Sequence, residues 1–346
     1  MPSGSSHGWG VAGTCLAAEI AKLPPLEGVT LHCIAGHDFR AYDPSAWDRI
    51  NIGYCFFEHE LLALPFIAEA ARRWDYIVAG SSWCEQHLRA GGMSRTCTIL
   101  QGVDAERFRR QPPRTADGRF IVFSGGKFEF RKGQDIVMAA MRTFMQCHAD
   151  VWLSCAWHNA WPHSLKTMQQ SNLLKFNWRE APCRELLDET IRLNGVDPQR
   201  VLLHPSFDNR RMQLIYTESD LGLFPNRCEG GNNMVMCEYM ACGRAVIASN
   251  QTGHADVINS VNAWPLTSYR PVAAKLGEHQ TGTWQEASVE EVITLLEEAY
   301  SDRITCQSKS QEAAASMLRL NWAAAAQQFH SVGRSMQQQM AKSAAM

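Results

Sequence analysis

Cys228-Glu229-Gly230-Gly231-Asn232-Asn233-Met234-Val235-Met236-Cys237-Glu238-Tyr239-Met240-Ala241-Cys242-Gly243 is the stretch on which the fold turns. Two glycines and two asparagines supply permissive, cap-favouring backbone, Met234 to Ala241 a helical body, and Gly243 a stop. Leu221-Gly222-Leu223-Phe224-Pro225 just before it is a short apolar run closed by proline, so the unit reads strand, loop, helix. Open parallel sheets build ligand sites from that unit. Glu229 falls in the loop and Glu238 roughly a turn and a half into the helix; helical side chains lean toward the N-terminus, so both can face the loop. Loop amides and a helix N-terminus favour an anion such as phosphate, which carboxylates repel. The two glutamates therefore suit hydroxyls on either side of that anion, one on a sugar and one on a ribose. The same spacing also fits an ordinary capped helix with one buried, paired glutamate.

Around this unit, 346 residues with 45% hydrophobic content allow large cores and favour two domains. A formal net charge of −2 gives no electrostatic footprint for nucleic acid. No apolar run approaches the roughly 20 residues of a membrane span, and Met1-Pro2-Ser3-Gly4-Ser5-Ser6-His7 has neither the basic nor the apolar part of a signal peptide. The expectation is a cytoplasmic protein. Its twelve cysteines are scattered, with no C-x-x-C pair, and read as buried thiols rather than as disulfides or zinc ligands. No Asp-x-Asp metal–diphosphate motif occurs, so neither a catalytic metal nor a cofactor is expected.

In chain order, Gly8-Trp9-Gly10-Val11-Ala12-Gly13 matches G-x-G-x-x-G and opens a helix over Val11 to Lys22. No strand is read before it, and the next strand, Val29 to Ile34, ends without an acid, so a nicotinamide enzyme is the lesser reading. Further runs predict a strand over Ile50 to Phe57, a helix over Leu61 to Trp74, a strand at Ile77 to Gly80, a helix capped by Ser81 and Ser82, and a strand from Cys97. The breaker-rich stretch Pro112 to Gly118 reads as the linker. Phe120-Ile121-Val122-Phe123-Ser124-Gly125-Gly126 then runs into Lys127, Arg131, Lys132 and Gly133, a second candidate phosphate site at a helix start. A solvated charge run is the bland alternative. Trp152, Trp157 and Trp161, among His158, Asn159 and His163, suit sugar stacking or a core edge. Helices are read at Ala181 to Asn194, Arg210 to Glu218, Ala255 to Asn259, Val289 to Ser301 and from Gln311 onward. No element is read between Asn259 and Val289. The beta-alpha alternation in both halves predicts two doubly wound domains.

Several segments together resemble retaining glycosyltransferases of family 4, which have the GT-B architecture. Ile99-Leu100-Gln101-Gly102-Val103-Asp104 resembles the family's turn out of the first domain, and Ser124 to Gly133 its cation loop. Phe224 to Gly243, with Val246 to Ser249 and Thr252-Gly253-His254, resembles its donor-binding motif, and Trp322 resembles a tryptophan near the start of its last helix. The resemblance implies two Rossmann-like domains facing across a cleft: residues 1–112, shortened and lacking a first strand; residues 113–320, binding the nucleotide sugar; and a helix over 321–346 that can cross back. It implies that Lys127 and Lys132, with Arg131 beside them, hold the donor diphosphate. Glu229 and His59 would contact the transferred sugar, although a lone histidine at a strand end equally fits a structural role, and Glu238 would contact the ribose. The amides of Gly230, Gly231, Asn232 and Asn233, with Gly8 and Gly10, would approach the sugar and phosphates. The implied activity is metal-independent, retaining hexosyl transfer from a nucleotide-diphosphate sugar to a saccharide or lipid-linked acceptor, in polysaccharide or glycolipid biosynthesis. The helix ending in Arg72 and Arg73 is open to peripheral membrane contact or to core packing. A GT-B epimerase or phosphorylase, and a silent sugar-nucleotide-binding subunit, are the alternatives. This chain departs from the usual pattern in three places: eight residues between the glutamates instead of seven, Lys127 for arginine, and Ala245 for proline.

Overall fold

A computed structural model describes residues 4, 8–115, 117–159 and 161–344. The first half contains α1 (Gly8–Ile20), β1 (Val29–Cys33), β2 (Ile50–Cys55), α2 (Glu60–Arg73), β3 (Tyr76–Ala79), α3 (Ser82–Ala90) and β4 (Thr96–Thr98). Its strands form one parallel sheet in the order β1-β2-β3-β4. Among the described residues no strand precedes α1. Parallel strands covered on both faces must be apolar on both, and β2 is buried along its whole length. Ile77 and Ala79 face Ile67 of α2 and Leu88 of α3, while Ile52, Tyr54 and Val78 face Leu16 of α1 and Phe329.

The second half contains β5 (Phe120–Gly126), α4 (Gln134–Cys147), β6 (Val151–Trp157), α5 (Cys183–Leu193), β7 (Val201–Leu203), α6 (Met212–Thr217), β8 (Leu221–Phe224), α7 (Met234–Ala241), β9 (Ala245–Ser249) and β10 (Trp264–Leu266). These six strands are parallel, ordered β10-β9-β8-β5-β6-β7. The strand order reverses between β5 and β8, and ligands bind beyond the carboxyl ends of strands at such a switch point. Period-two alternation sends Leu221, Leu223, Ala245 and Ile247 into the core under α4 and α8 (Val289–Ser301). Phe224, Val246 and Ala248 enter the core under α7 and α9 (Arg303–Met317).

Two findings correct the sequence reading. Residues 255–259 do not form a helix; a 3-10 turn spans Thr252–His254 instead. The unassigned stretch before Val289 contains, besides β10, an antiparallel hairpin of β11 (Tyr269–Leu276) and β12 (His279–Ala287). Gly277, at φ 60°, opens its two-residue turn, as a primed hairpin turn requires. The last helix, α10 (Trp322–Ala344), returns to the first sheet, where Phe329 packs edge-on against Tyr54 at 4.9 Å.

Candidate active site

The site lies where the loops after β5 and β8 meet. After β5 the chain makes a 3-10 turn, Phe130–Lys132, and enters α4 through Gly133 at φ 74°. A Cβ at Gly133 would lie 2.3 Å from the Pro225 carbonyl, so glycine allows the left-handed turn and the close approach together. The loop is braced before any ligand arrives. The Gln134 amide donates to the Lys127 carbonyl at 2.6 Å, the Asn159 side chain accepts from Phe128 N at 2.8 Å, and Thr167 Oγ1 accepts from Phe130 N at 3.2 Å.

After β8 the loop runs to Asn233, which caps α7 at φ 55°. Glu229 N donates to Thr252 Oγ1 at 2.9 Å and Gly253 N to the Glu229 carbonyl at 3.0 Å, which anchors the loop on the 3-10 turn. Asn233 also bonds His254 Nε2 at 3.0 Å. Burial pushes the His254 imidazole down to about 4, so it is neutral.

Sequence proximity alone did not fix who pairs with whom. Lys132 Nζ donates to Glu229 Oε1 at 2.6 Å, and the Arg131 guanidinium lies 3.1 Å from Glu229 Oε2. Asn226 Nδ2 also donates to Glu229 Oε1. Arg131 pairs as well with Glu129 at 2.9 Å and with Glu58 of the first domain at 3.4 Å. Lys127 stands farther out, 3.8 Å from Glu129 and 5.5 Å from the Trp161 ring. Burial would raise the Glu229 carboxyl, but Lys132 and Arg131 outweigh it and hold the group well below the usual range. Burial draws the Lys132 ammonium down while the charge of Glu229 opposes.

Glu238 occupies another environment. Its carboxylate accepts from Asn209 Nδ2 at 2.8 Å and from the Tyr216 hydroxyl at 2.9 Å. Burial pushes it up to about 7 against those two hydrogen bonds.

The first domain presses directly onto this loop. Ser81 caps α3 and also donates to the Gly230 carbonyl at 2.8 Å, while Asn232 Nδ2 donates to the Gln101 carbonyl at 2.9 Å. A Cβ at Gly230 would lie 2.6 Å from the Phe57 carbonyl. The hairpin closes the side: Trp284 Nε1 donates to the Glu58 carbonyl at 2.7 Å and Thr283 N to Glu60 Oε1 at 2.7 Å.

The structure thus brings together Glu229, Lys132 and Arg131, with Lys127 at the edge and Glu238 on the adjoining helix. Of the first-domain candidates, Gly8 and Gly10 are placed differently from the sequence reading. They lie within α1 (Gly8–Ile20) rather than in a loop. Trp9 between them packs on Phe56 at 4.8 Å, and the Phe56 ring lies against Gly231. His59 is directed to the hairpin: its Nδ1 is 2.6 Å from Thr281 Oγ1 and its ring 5.1 Å from Trp284. Burial lowers its basicity, with Glu58 opposing. Of the tryptophans, Trp157 is core and Trp161 is exposed at the cation loop.

Asn226, Arg227, Glu58, Asn209, Tyr216 and the hairpin residues were missed. A charge and an amide inside the otherwise apolar run Phe224-Pro225-Asn226-Arg227-Cys228 were a legible signal, because such groups are buried only when paired. Nothing in the spacing pointed to Tyr216 or Asn209. Among the described residues no group of three or more acidic, histidine or cysteine side chains is arranged to hold a metal ion. None of the described helices is long and apolar enough to cross a membrane.

Compared by sequence with curated proteins, the chain finds no match. Compared by structure, it is similar to sucrose-phosphate synthase from Thermosynechococcus elongatus (TM-score 0.63, 17% identity, 84% of this chain and 69% of that one). It is similar to Anabaena HepE in complex with UDP and glucose (TM-score 0.62, 16% identity, 82% and 71%). It is also similar to the E. coli trehalose-6-phosphate protein bound with UDP-2-fluoro glucose (TM-score 0.63, 14% identity, 94% and 77%). The fold is therefore GT-B, and residues 119–275 match the family described as glycosyl transferases group 1.

Proposed function

We propose that the protein transfers a hexosyl unit from a nucleoside-diphosphate sugar to an acceptor hydroxyl, with retention of configuration and without a metal ion. The observation that carries this reading is the Lys132–Glu229 pair at 2.6 Å, held at the switch point between β5 and β8 inside the matched family span. The UDP and UDP-sugar complexes of structurally similar proteins support a nucleotide donor. Retention rests on the family 4 resemblance alone.

In this reading the entering diphosphate takes over cations that Glu229, Glu129 and Glu58 now neutralise. As the bond from the anomeric carbon to the diphosphate breaks, charge grows on the leaving oxygen, and Lys132, Arg131 and Lys127 stabilise it in a site already braced. The acceptor oxygen forms the new bond and its proton leaves with the diphosphate. Glu229, held ionised, accepts a hydrogen bond from a sugar hydroxyl, and Glu238 serves the ribose. Water is excluded by the first domain and the hairpin seated on the loop.

Incubation of radiolabelled UDP-glucose and a panel of other nucleotide sugars with saccharide and lipid-linked acceptors, with and without EDTA, tests the reading. Free nucleoside diphosphate plus glycoside of the same anomeric form, undiminished by EDTA, is expected. Isomerised donor, phosphate-dependent products or tight binding without turnover would overturn it in favour of an epimerase, a phosphorylase or a silent subunit. The last has one observation in its favour: every cation of the cluster already has a carboxylate partner. A cytoplasmic protein touching the membrane at a lipid-linked acceptor fits α2, whose Leu61, Leu64 and Phe66 are exposed. Co-sedimentation with anionic vesicles, weakened by Phe66→Ser, is the expected result.

A further inference from the structure

We propose that Arg227 is the positioning residue of this site and that Glu286, carried by the hairpin, orients it; this rests on the transfer reading above. Arg227 is wholly buried. Its guanidinium makes a two-pronged pair with Asp135 at 2.8 and 2.6 Å, reaches Glu286 through Nε at 3.0 Å, and donates to the Phe130 carbonyl. It also lies over the Phe130 ring at 3.8 Å. Its backbone N donates to the Arg131 carbonyl at 2.8 Å. One residue therefore binds the two positions before Lys132, while its own chain reaches Glu229 two residues later. It spans both halves of the Lys132–Glu229 pair without touching either side chain.

Stability does not explain this arrangement, since a buried ion cluster costs desolvation that apolar packing of the same shape avoids. Direction does: a planar guanidinium with two carboxylates has one geometry, which a flexible ammonium cannot reproduce. Glu286 is held in turn by Arg270 at 2.6 Å and lies beyond the matched span of residues 119–275. The hairpin that carries it is seated on the first domain through Glu58, His59 and Glu60. Its position is thereby passed through Arg227 to the reacting groups.

The test uses the full chain carrying Arg227→Met, Arg227→Lys, Glu286→Gln and the Met/Gln double substitution, each checked for folding by circular dichroism. Arg227→Met is expected to lower kcat about 100-fold with donor KM within about threefold, the signature of misplaced reacting groups. Glu286→Gln is expected to cost about tenfold and to add nothing to Arg227→Met, since residues acting through one link are not additive. Arg227→Lys should fall well short of rescue. Independently of any donor, acylation of Lys132 by an N-hydroxysuccinimide ester, mapped by peptide mass spectrometry, should quicken in Arg227→Met while exposed Lys175 is unchanged.

Full rescue by Arg227→Lys, additive losses, or unchanged Lys132 acylation and kcat in the folded variants would overturn the role of Arg227 while leaving transfer intact. Wild-type protein that turns over no nucleotide sugar, with Lys132 acylation still quickened in Arg227→Met, would instead sink the transfer reading and leave the positioning standing. Should Arg227→Met fail to fold, Glu286→Gln decides between the same outcomes.

Discussion

Glu229 and Glu238 stand on one loop and helix and are equally buried, at 4% exposure each, yet the protein drives their acidities in opposite directions. Glu229 has Lys132 and Arg131 at salt-bridge distance and stays ionised. Glu238 accepts hydrogen bonds from the amide of Asn209 and the hydroxyl of Tyr216, with no cation at salt-bridge distance among the described residues, and burial carries it up to about 7. Burial is common to both, so the charge of the partner decides the outcome. One end of the site is thereby built of permanent charge, and the other is poised to gain or lose a proton near neutrality.

Removing the cation that defines the first end should have the largest effect. Lys132→Ala is expected to lower kcat by about 100- to 1,000-fold, the cost of one preorganised group facing developing charge; steady-state kinetics of folded variant checks it. Glu229→Gln keeps shape but loses charge-assisted bonds worth about 2 kcal/mol, so kcat/KM should fall about 30-fold.

The second end should show itself through pH. With a midpoint of about 7, ionised Glu238 grows about tenfold between about pH 6 and pH 8, and calorimetric affinity for the donor should rise with it. Glu238→Gln should flatten that profile, and an unchanged slope would remove Glu238 from donor binding.

Unfolding by urea across pH should separate the two carboxylates by sign. Glu238 is raised in the folded state, so that state holds the extra proton; its contribution is fully present below the unfolded value and lost as pH rises through about 7. Glu229 is lowered, so its contribution is present above the unfolded value and lost as pH falls toward its depressed folded value. Glu238→Gln should remove the neutral-range slope and Glu229→Gln the acid-range one. Tyr216→Phe should have the smallest effect, about 1 kcal/mol for one hydrogen bond, and should move the Glu238 midpoint higher still.

The contrast between these two acids was only half visible in the chain. Their spacing, the glycine-asparagine loop and the apolar run before it are local features, and the strand, loop and helix followed from them. Lys132 was legible for the same reason, sitting at a strand end before a helix. The pairing of Lys132 with Glu229 joins residues 97 positions apart, and only the adjacency of β5 and β8 in the sheet creates it. His59, which the family resemblance places at the sugar, has a hydrogen-bond partner, Thr281, on a hairpin that no local pattern revealed. Arg227 is two residues from Glu229, but its partners Asp135 and Glu286 lie 92 and 59 residues away.

The sequence by itself determined the alternating strands and helices, the two loops and the residue types within them, because period, caps and breakers act over a few residues. Tertiary structure alone decided which carboxylate meets which cation, where the hairpin lies and how tightly the first domain closes on the loop. Charge state and reach depend on desolvation and on partners brought from distant parts of the chain, and no local pattern encodes either.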